Sequence, residues 1–185
     1  MKLIKDLKEN KKTKSTSIVK SEKKETVEKN TKLGTKIKNF KLKMTGDQNF
    51  NLSDFKGKKI VLFFYPKDAT PGCTQEGHDF SKLKKDFTKL NAVVFGISRD
   101  SISSHEKFKS KQEYSVDLIS DEQSEVCNTF DVIKDKNMYG KKVRGIERST
   151  FIIDEDGKLL MEWRKVKVEG HAEEVLKFIK SIKTI

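Results

Sequence analysis

The apolar positions of this chain form short runs and periodic stretches that predict alternating strands and helices. Six consecutive apolar residues, 60–65, end at Pro66 and are typical of a short strand buried on both faces. We predict further strands from similar runs at residues 92–97, 116–119 and 150–153. After Pro66, apolar residues recur three or four positions apart, which indicates a helix with one face toward the core: Phe80, Leu83, Phe87 and Leu90.

The remaining segments complete an α/β pattern. Alternating residues at 40–44 and 50–52, with turn residues between them, predict an N-terminal β-hairpin. The order of elements predicts a central mixed sheet flanked by helices on both faces. Residues 132–148 form a polar segment to which no element is assigned. We predict these further elements: a helical turn at 53–57, a helix capped by Ser103 or Ser104 and ending near Gln112, a helix at 121–130, a strand at 159–166 and a helix at 171–182.

Residues 1–32 differ in composition from the rest of the chain. They carry eleven lysines against five acidic residues, so about half of the net charge of +12 lies there, and they contain no aromatic residue. Such a segment buries too little apolar surface to offset its ordering entropy, so we expect a disordered, solvated tail. Contact with nucleic acid or an anionic membrane is the less favoured alternative, and residues 33–185 are expected to form the folded domain.

The composition also limits the setting of the protein. No window has the roughly 20 apolar residues of a membrane span, and the start of the chain lacks the apolar region of a signal peptide. The two cysteines, Cys73 and Cys127, do not make a disulfide framework. We therefore expect a reducing compartment, the cytoplasm, and no membrane association.

Candidate chemistry is concentrated in the loop that follows the strand at 60–65. Both prolines of the chain, Pro66 and Pro71, lie there and restrict the loop, and Cys73 follows at the start of the predicted helix. A thiol at a helix N-terminus ionises more readily, and the thiolate is the nucleophile. Thr70 supplies a hydroxyl, and the backbone N–H groups of Gly72 and Cys73 can also stabilise negative charge. The alternative is a buried structural cysteine at a strand–helix junction.

These residues resemble a known family. The pattern Pro66-x-x-x-Thr70-x-x-Cys73 matches the peroxiredoxin active site, and the run from Tyr65 to Glu76 is similar to that of the peroxiredoxin Q class, also called bacterioferritin comigratory protein. The similarity extends from Leu33 to the C-terminus and implies a thioredoxin-like fold. Further segments resemble the family in the same order, at residues 96–100, 118–121 and 148–154.

The resemblance implies a role for each residue of the site. Cys73 is the expected nucleophile, which attacks a peroxide and becomes a sulfenic acid. Arg148, next to the strand at 150–153, is the expected cation beside it, and Thr70 completes the catalytic set. Glu76 is either a structural group of the site or a carboxylate favoured by the helix dipole, and we weigh the two equally. The expected substrate-binding residues are Pro66, Gly72 and Glu76.

Two positions depart from the family pattern. The usual internal resolving cysteines are replaced by His78 and Lys109, so the sulfenic acid is expected to react with an external thiol: glutathione, glutaredoxin or thioredoxin. Cys127 is the other candidate resolving thiol, but Val126 and Phe130 beside it favour a packing role. No His, Cys or Asp spacing indicates a metal site, and no cofactor is expected.

Three functions therefore compete. The leading one is a thiol peroxidase that reduces hydrogen peroxide and organic hydroperoxides, acting as a monomer or weak dimer. A disulfide reductase on the same fold would normally use Cys-x-x-Cys, whereas the position three after Cys73 is Glu76. A basic nucleic-acid-binding or chaperone module is supported only by the net charge, so nucleic acid is not an expected partner.

Overall fold

A seven-stranded mixed sheet with helices on both faces forms the centre of the molecule, in strand order β2-β1-β5-β4-β3-β8-β9. The computed structural model describes residues 32–138 and 140–182, so the predicted tail lies, apart from Lys32, outside the described residues. The strands are β1 Lys41–Met44, β2 Gln48–Asn51, β3 Lys59–Phe64, β4 Ala92–Ser98, β5 Asp117–Ser120, β6 Ile133–Met138, β7 Lys141–Ile146, β8 Ser149–Ile153 and β9 Leu159–Trp163. The helices are α1 Pro71–Lys89, α2 Ile102–Gln112, α3 Glu125–Thr129 and α4 His171–Ser181, and a 3₁₀ turn spans Leu52–Phe55.

The central strand β3 determines where the candidate loop lies. It runs parallel to β4 and antiparallel to β8, with Phe64 opposite Ser149. The carboxyl end of β3, from which the loop to α1 starts, therefore lies beside the start of β8 and its preceding residue, Arg148. The predicted mixed sheet, N-terminal hairpin and thioredoxin-like arrangement are confirmed.

Alternate side chains of β3 enter two separate cores. Ile60, Leu62 and Phe64 pack on the face of the sheet covered by α3, whereas Val61 and Phe63 pack on the face covered by α1, α2 and α4. Fully burying a side chain of this size contributes about 1.5–3 kcal/mol. A slip of one residue would exchange the two faces, so these positions fix the register of the strand.

The local predictions needed three corrections. The cap of α2 is Ser101, whose hydroxyl accepts the N–H of Ser104 at 3.3 Å, and not Ser103 or Ser104. Several serines in this segment can cap, and only the backbone geometry decides among them. Helix α3 begins at Glu125 rather than near 121, because Ser124 has a left-handed backbone with φ of 61°.

The third correction concerns the polar segment 132–148, which forms the antiparallel β6–β7 hairpin. Residues 141–144 of β7 are all exposed. The strand therefore does not alternate between apolar and polar residues, and the sequence pattern did not predict it. In the described part of the chain, no helix has the length and apolar character that crossing a membrane requires.

Candidate active site

Cys73 is the third residue of α1, and its side chain is only 2% exposed. Thr70 is the N-cap with an extended backbone, and Pro71 is the first helical residue, where its missing N–H costs nothing. The first turn of a helix carries unpaired N–H groups and partial positive charge. Cys73 therefore lies at the start of α1, where the sequence predicted it.

Arg148 joins Cys73 to Glu76. Its Nη2 lies 3.3 Å from the Cys73 sulfur, and its Nη1 donates to the carboxylate of Glu76. Glu76 follows Cys73 by three residues on α1, a spacing that puts both side chains on one face of the helix. The guanidinium can contact both groups at once because its N–H donors diverge in a plane.

Burial and charge act in opposite directions on this pair. Burial raises the pKa of Glu76 to about 7, although the guanidinium of Arg148 lowers it. One carboxylate oxygen, Oε1, finds no hydrogen-bond partner among the described residues. Burial also opposes the charge of Arg148, but Glu76 and Cys73 outweigh it and raise the pKa of the guanidinium. Arg148 is thus held as a cation against the sulfur.

A pH dependence of stability follows from the raised pKa of Glu76. The folded state retains this proton up to about pH 7, whereas the unfolded chain loses it near the ordinary pKa of 4.5. The folded state binds more protons in between, so the contribution of Glu76 to the free energy of unfolding falls as pH rises through this range. The total change is at most on the order of 3 kcal/mol.

We therefore expect Glu76→Gln to flatten this part of the stability profile, since glutamine does not titrate. Urea denaturation across the same pH range measures the effect. The exposed Glu173→Gln serves as the control and should retain the wild-type profile. An unchanged slope in Glu76→Gln would show that Glu76 is ionised in the folded state throughout.

Gly72 leaves room for the guanidinium. A Cβ at this position would lie 3.3 Å from Nη2 of Arg148 and 3.9 Å from a methyl group of Val168. The first distance is tighter than ordinary van der Waals contact, so the guanidinium would have to shift. The glycine thus belongs to the site through its lack of a side chain.

We expect Gly72→Ala to slow the reaction with peroxide by roughly tenfold, because a small misplacement of a catalytic group is costly. The melting temperature should stay near that of the wild type. Steady-state peroxide consumption and thermal unfolding measure the two effects, with Gly145→Ala on β7, where an added Cβ meets no atom within 4 Å, as the control. A wild-type rate in Gly72→Ala would mean that the position of Arg148 tolerates displacement.

Thr70 and Pro66 border the site in different ways. The Thr70 hydroxyl donates to the backbone oxygen of Lys67 at 3.1 Å, which closes the loop on itself. In this structure the hydroxyl is therefore bonded within the loop, and a catalytic role for Thr70 stays a prediction. Pro66 is half-buried and lines a shallow depression with Arg99 and Asp100.

Cys127 lies in the core on the opposite face of the sheet from Cys73. It is fully buried, and burial together with Asp121 raises the pKa of its thiol well above the ordinary value. Both cysteines are free thiols. A disulfide requires the two Cα atoms to approach within about 7 Å, so a bond between them would require a large rearrangement.

The two positions of the missing resolving cysteines have other partners. His78 is exposed on α1 and lies 3.0 Å from the side-chain oxygen of Gln112. Lys109 forms an ion pair with Asp117. Among the described residues, neither side chain forms a hydrogen bond or an ion pair with Cys73.

Sequence reasoning missed two neighbours of the site. Tyr114 donates from its hydroxyl to the carbonyl oxygen of Thr74 at 2.8 Å and packs on Gly77, where a Cβ would lie only 2.4 Å from its ring. The signal was Gly77 inside a helix, which indicates close approach of another group. Lys136 on β6 donates to the carbonyl oxygen of Ile146, and burial lowers its pKa. No motif pointed to Lys136.

Within the part of the chain that is described, no three acidic, His or Cys side chains are arranged to hold a metal ion.

Comparisons with known proteins give the family. Residues 33–161 match the AhpC/TSA family. Peroxiredoxin Bcp of Xanthomonas campestris is 49% identical over 140 residues, which are 76% of this chain and 88% of that protein. Peroxiredoxin Bcp of Bacillus subtilis is 47% identical over 150 residues, which are 81% of this chain and 96% of that protein.

Solved structures agree with this grouping. A structure of Xylella fastidiosa peroxiredoxin Q, a cysteine-to-serine mutant, superimposes with a TM-score of 0.78 at 45% identity and covers 81% of this chain and 96% of that one. The X. campestris bacterioferritin comigratory protein, described with alkyl peroxide reduction activity, superimposes with a TM-score of 0.74 at 48% identity and covers 77% and 90% of the two chains. The chain therefore belongs to the AhpC/TSA family and, within it, to the Bcp/peroxiredoxin Q group of thiol-dependent peroxidases.

Proposed function

We propose that Cys73 is the thiol that attacks the peroxide, and that the enzyme reduces both hydrogen peroxide and organic hydroperoxides. The observation that carries this proposal is the contact between Arg148 Nη2 and the Cys73 sulfur at 3.3 Å, at the N-terminus of α1. A fixed cation and the free N–H groups of a helix start favour a thiolate and can stabilise charge that develops on oxygen.

The reaction at Cys73 is a displacement at oxygen. The thiolate attacks the terminal oxygen of ROOH, the S–O bond forms as the O–O bond breaks, and the sulfur is oxidised by two electrons. The RO⁻ group leaves and takes a proton to become water or an alcohol, and Cys73 remains as a sulfenic acid. Arg148 is the donor placed to stabilise the leaving oxygen.

Substrate range and reductant extend this proposal. Alkyl peroxide reduction by the X. campestris relative supports organic hydroperoxides as substrates of this chain. The opposite-face position of Cys127 supports reduction of the sulfenic acid by an external thiol. One thiol would form a mixed disulfide with Cys73 and release water, and a second would release the Cys73 thiolate.

A peroxide consumption assay with separate reductants tests the function. Hydrogen peroxide and an organic hydroperoxide are offered with glutathione, glutaredoxin or thioredoxin, each with its recycling system. Turnover that depends on both peroxide and thiol supports the proposal. Reduction of a protein disulfide without peroxide consumption would support the disulfide reductase instead, and inertness in both assays would favour a binding module.

The setting of the enzyme is part of the same proposal. A chain with two free cysteines suits a reducing compartment, so we place it in the cytoplasm as a monomer or weak dimer. Neither nucleic acid nor a membrane is proposed as a partner. Sedimentation of the reduced protein would test the assembly state, and a stable higher oligomer would contradict it.

Residues 33–185 are proposed as the catalytic domain, with 1–32 as an extension that adds nothing to turnover. Deleting residues 1–30 is expected to leave the melting temperature and specific activity nearly unchanged, because this segment has few apolar residues to contribute to a core. Thermal unfolding and peroxide assays of the truncated protein measure both. A large fall in either would show that the extension docks on the domain.

A further inference from the structure

A buried polar cluster lies behind the loop that leads to Cys73, at residues that the peroxide mechanism does not use. Its centre is the carboxylate of Asp68, five residues before Cys73. The Tyr65 hydroxyl donates to Asp68 Oδ1 at 2.8 Å, and the Ser104 hydroxyl donates to Oδ2 at 2.7 Å. His105 Nδ1 lies 2.9 Å from Oδ2. Burial would raise the pKa of Asp68, but hydrogen bonds from His105 and Ser104 outweigh it and lower that pKa.

His105 is held in place by contacts of both of its ring nitrogens. The ring is fully buried, and its second nitrogen, Nε2, lies 3.2 Å from the carbonyl oxygen of Ile119. Nδ1 thus faces the Asp68 carboxylate, with the Tyr65 hydroxyl 3.4 Å away, and Nε2 faces a carbonyl oxygen. The ring therefore joins the Asp68 carboxylate to the backbone of β5 inside the protein.

This pair connects the loop to the rigid part of the fold. His105 lies on α2, whereas Asp68 lies in the loop between β3 and α1, two residues before Thr70. The Asp68 N–H also donates to the carboxylate of Asp100, at 2.9 Å. Between Asp68 and Thr70, Ala69 has a left-handed backbone with φ of 57°, which a non-glycine residue rarely adopts. Such a conformation persists only where the surroundings hold it in place.

We propose that the buried contact between Asp68 and His105 fixes the loop at 66–70 in the conformation that presents a peroxide to Cys73. Both are positioning residues: they act through Thr70 and the loop backbone and do not contact the reacting atoms. The inference rests on the proposed role of Cys73. Through this contact α2 takes part in the peroxide step, although it contributes no residue to the contacts of Arg148 with the Cys73 sulfur and with Glu76.

Two reactions of the same thiol separate positioning from a general effect on the fold. Hydrogen peroxide needs the loop in place, whereas alkylation by iodoacetamide needs only an accessible thiolate. The variants are Asp68→Asn, His105→Gln and the double substitution, and the rate at Cys73 is followed by mass spectrometry of the cysteine peptide. Phe50→Leu, buried in the core on the other face of the sheet, is the control for lost stability.

We expect each single variant to slow the peroxide reaction by roughly 10- to 100-fold while the iodoacetamide rate changes little. The double variant should be no slower than the singles, because the two residues act as one unit. Phe50→Leu should leave the peroxide rate unchanged. If His105→Gln does not fold, Ser104→Ala removes one donor to Asp68 from a half-buried position and should give a smaller loss of the same kind.

Provided that wild-type Cys73 reacts rapidly with peroxide, two results would overturn this inference alone. The single variants would slow the peroxide and iodoacetamide reactions equally, or they would slow neither. Strictly additive effects of the two substitutions would also overturn it. A wild-type protein whose Cys73 does not react with peroxide would overturn the proposed function, and this inference with it.

Discussion

Replacing Cys73 by serine is expected to reduce peroxide consumption to the level of a control without enzyme. Serine keeps the size of the side chain, but its hydroxyl is neither ionised nor nucleophilic beside Arg148 at neutral pH. Of the two cysteines, only Cys73 lies at a helix start with a guanidinium 3.3 Å from its sulfur. Peroxide consumption with saturating thiol measures the loss.

Cys127→Ser is the matched control for this experiment, because it removes the other thiol. It should retain most of the activity, although placing a hydroxyl in the buried core lowers stability. Circular dichroism and thermal unfolding would show that both variants are folded. Equal loss of activity from both substitutions would contradict the one-cysteine mechanism and assign Cys127 a catalytic part.

Arg148→Lys is expected to lower the rate of the peroxide reaction by about 10²- to 10³-fold, similar to the loss of one donor from an oxyanion site. A lysine keeps the positive charge but offers one ammonium in place of a planar fork. It cannot contact the Cys73 sulfur and the buried Glu76 carboxylate in the way that Nη2 and Nη1 do. Rapid-mixing measurements of sulfenic acid formation give this rate directly.

Arg144→Lys provides the control, since Arg144 is exposed on β7 and four residues away in sequence. Its variant should react with peroxide at the wild-type rate. If Arg148→Lys also retained the wild-type rate, charge alone would suffice, and the proposed bidentate role of the guanidinium would be wrong.

The central strands, helices and loop of this fold follow from local patterns in the sequence. Residues 60–65 are apolar on both faces because β3 contributes to two cores, and an unbroken apolar run indicates this arrangement directly. Pro71 marks the start of α1 because proline is favoured in the first turn, and Cys73 follows two residues later. The β6–β7 hairpin is mostly polar, so no pattern of apolar residues predicted its two strands.

The site was less predictable, because its contacts join distant segments. Arg148 and Glu76 are 72 residues apart, and only the antiparallel pairing of β3 with β8 brings them together. The resemblance to a family supplied Arg148, but the pairing of its guanidinium with Glu76 required coordinates. The contact of Asp68 with His105 depends in the same way on the packing of α2 against the loop.

The central claim is that Cys73 carries the oxidation and that an external thiol removes it. Intact mass spectrometry of the reduced protein after one equivalent of hydrogen peroxide, without added thiol, tests this most directly. The account predicts a gain of one oxygen, located at Cys73 by a sulfenic-selective reagent, and further oxygen at excess peroxide. A loss of two hydrogens, which would mean a Cys73–Cys127 disulfide, or a covalent dimer would contradict it.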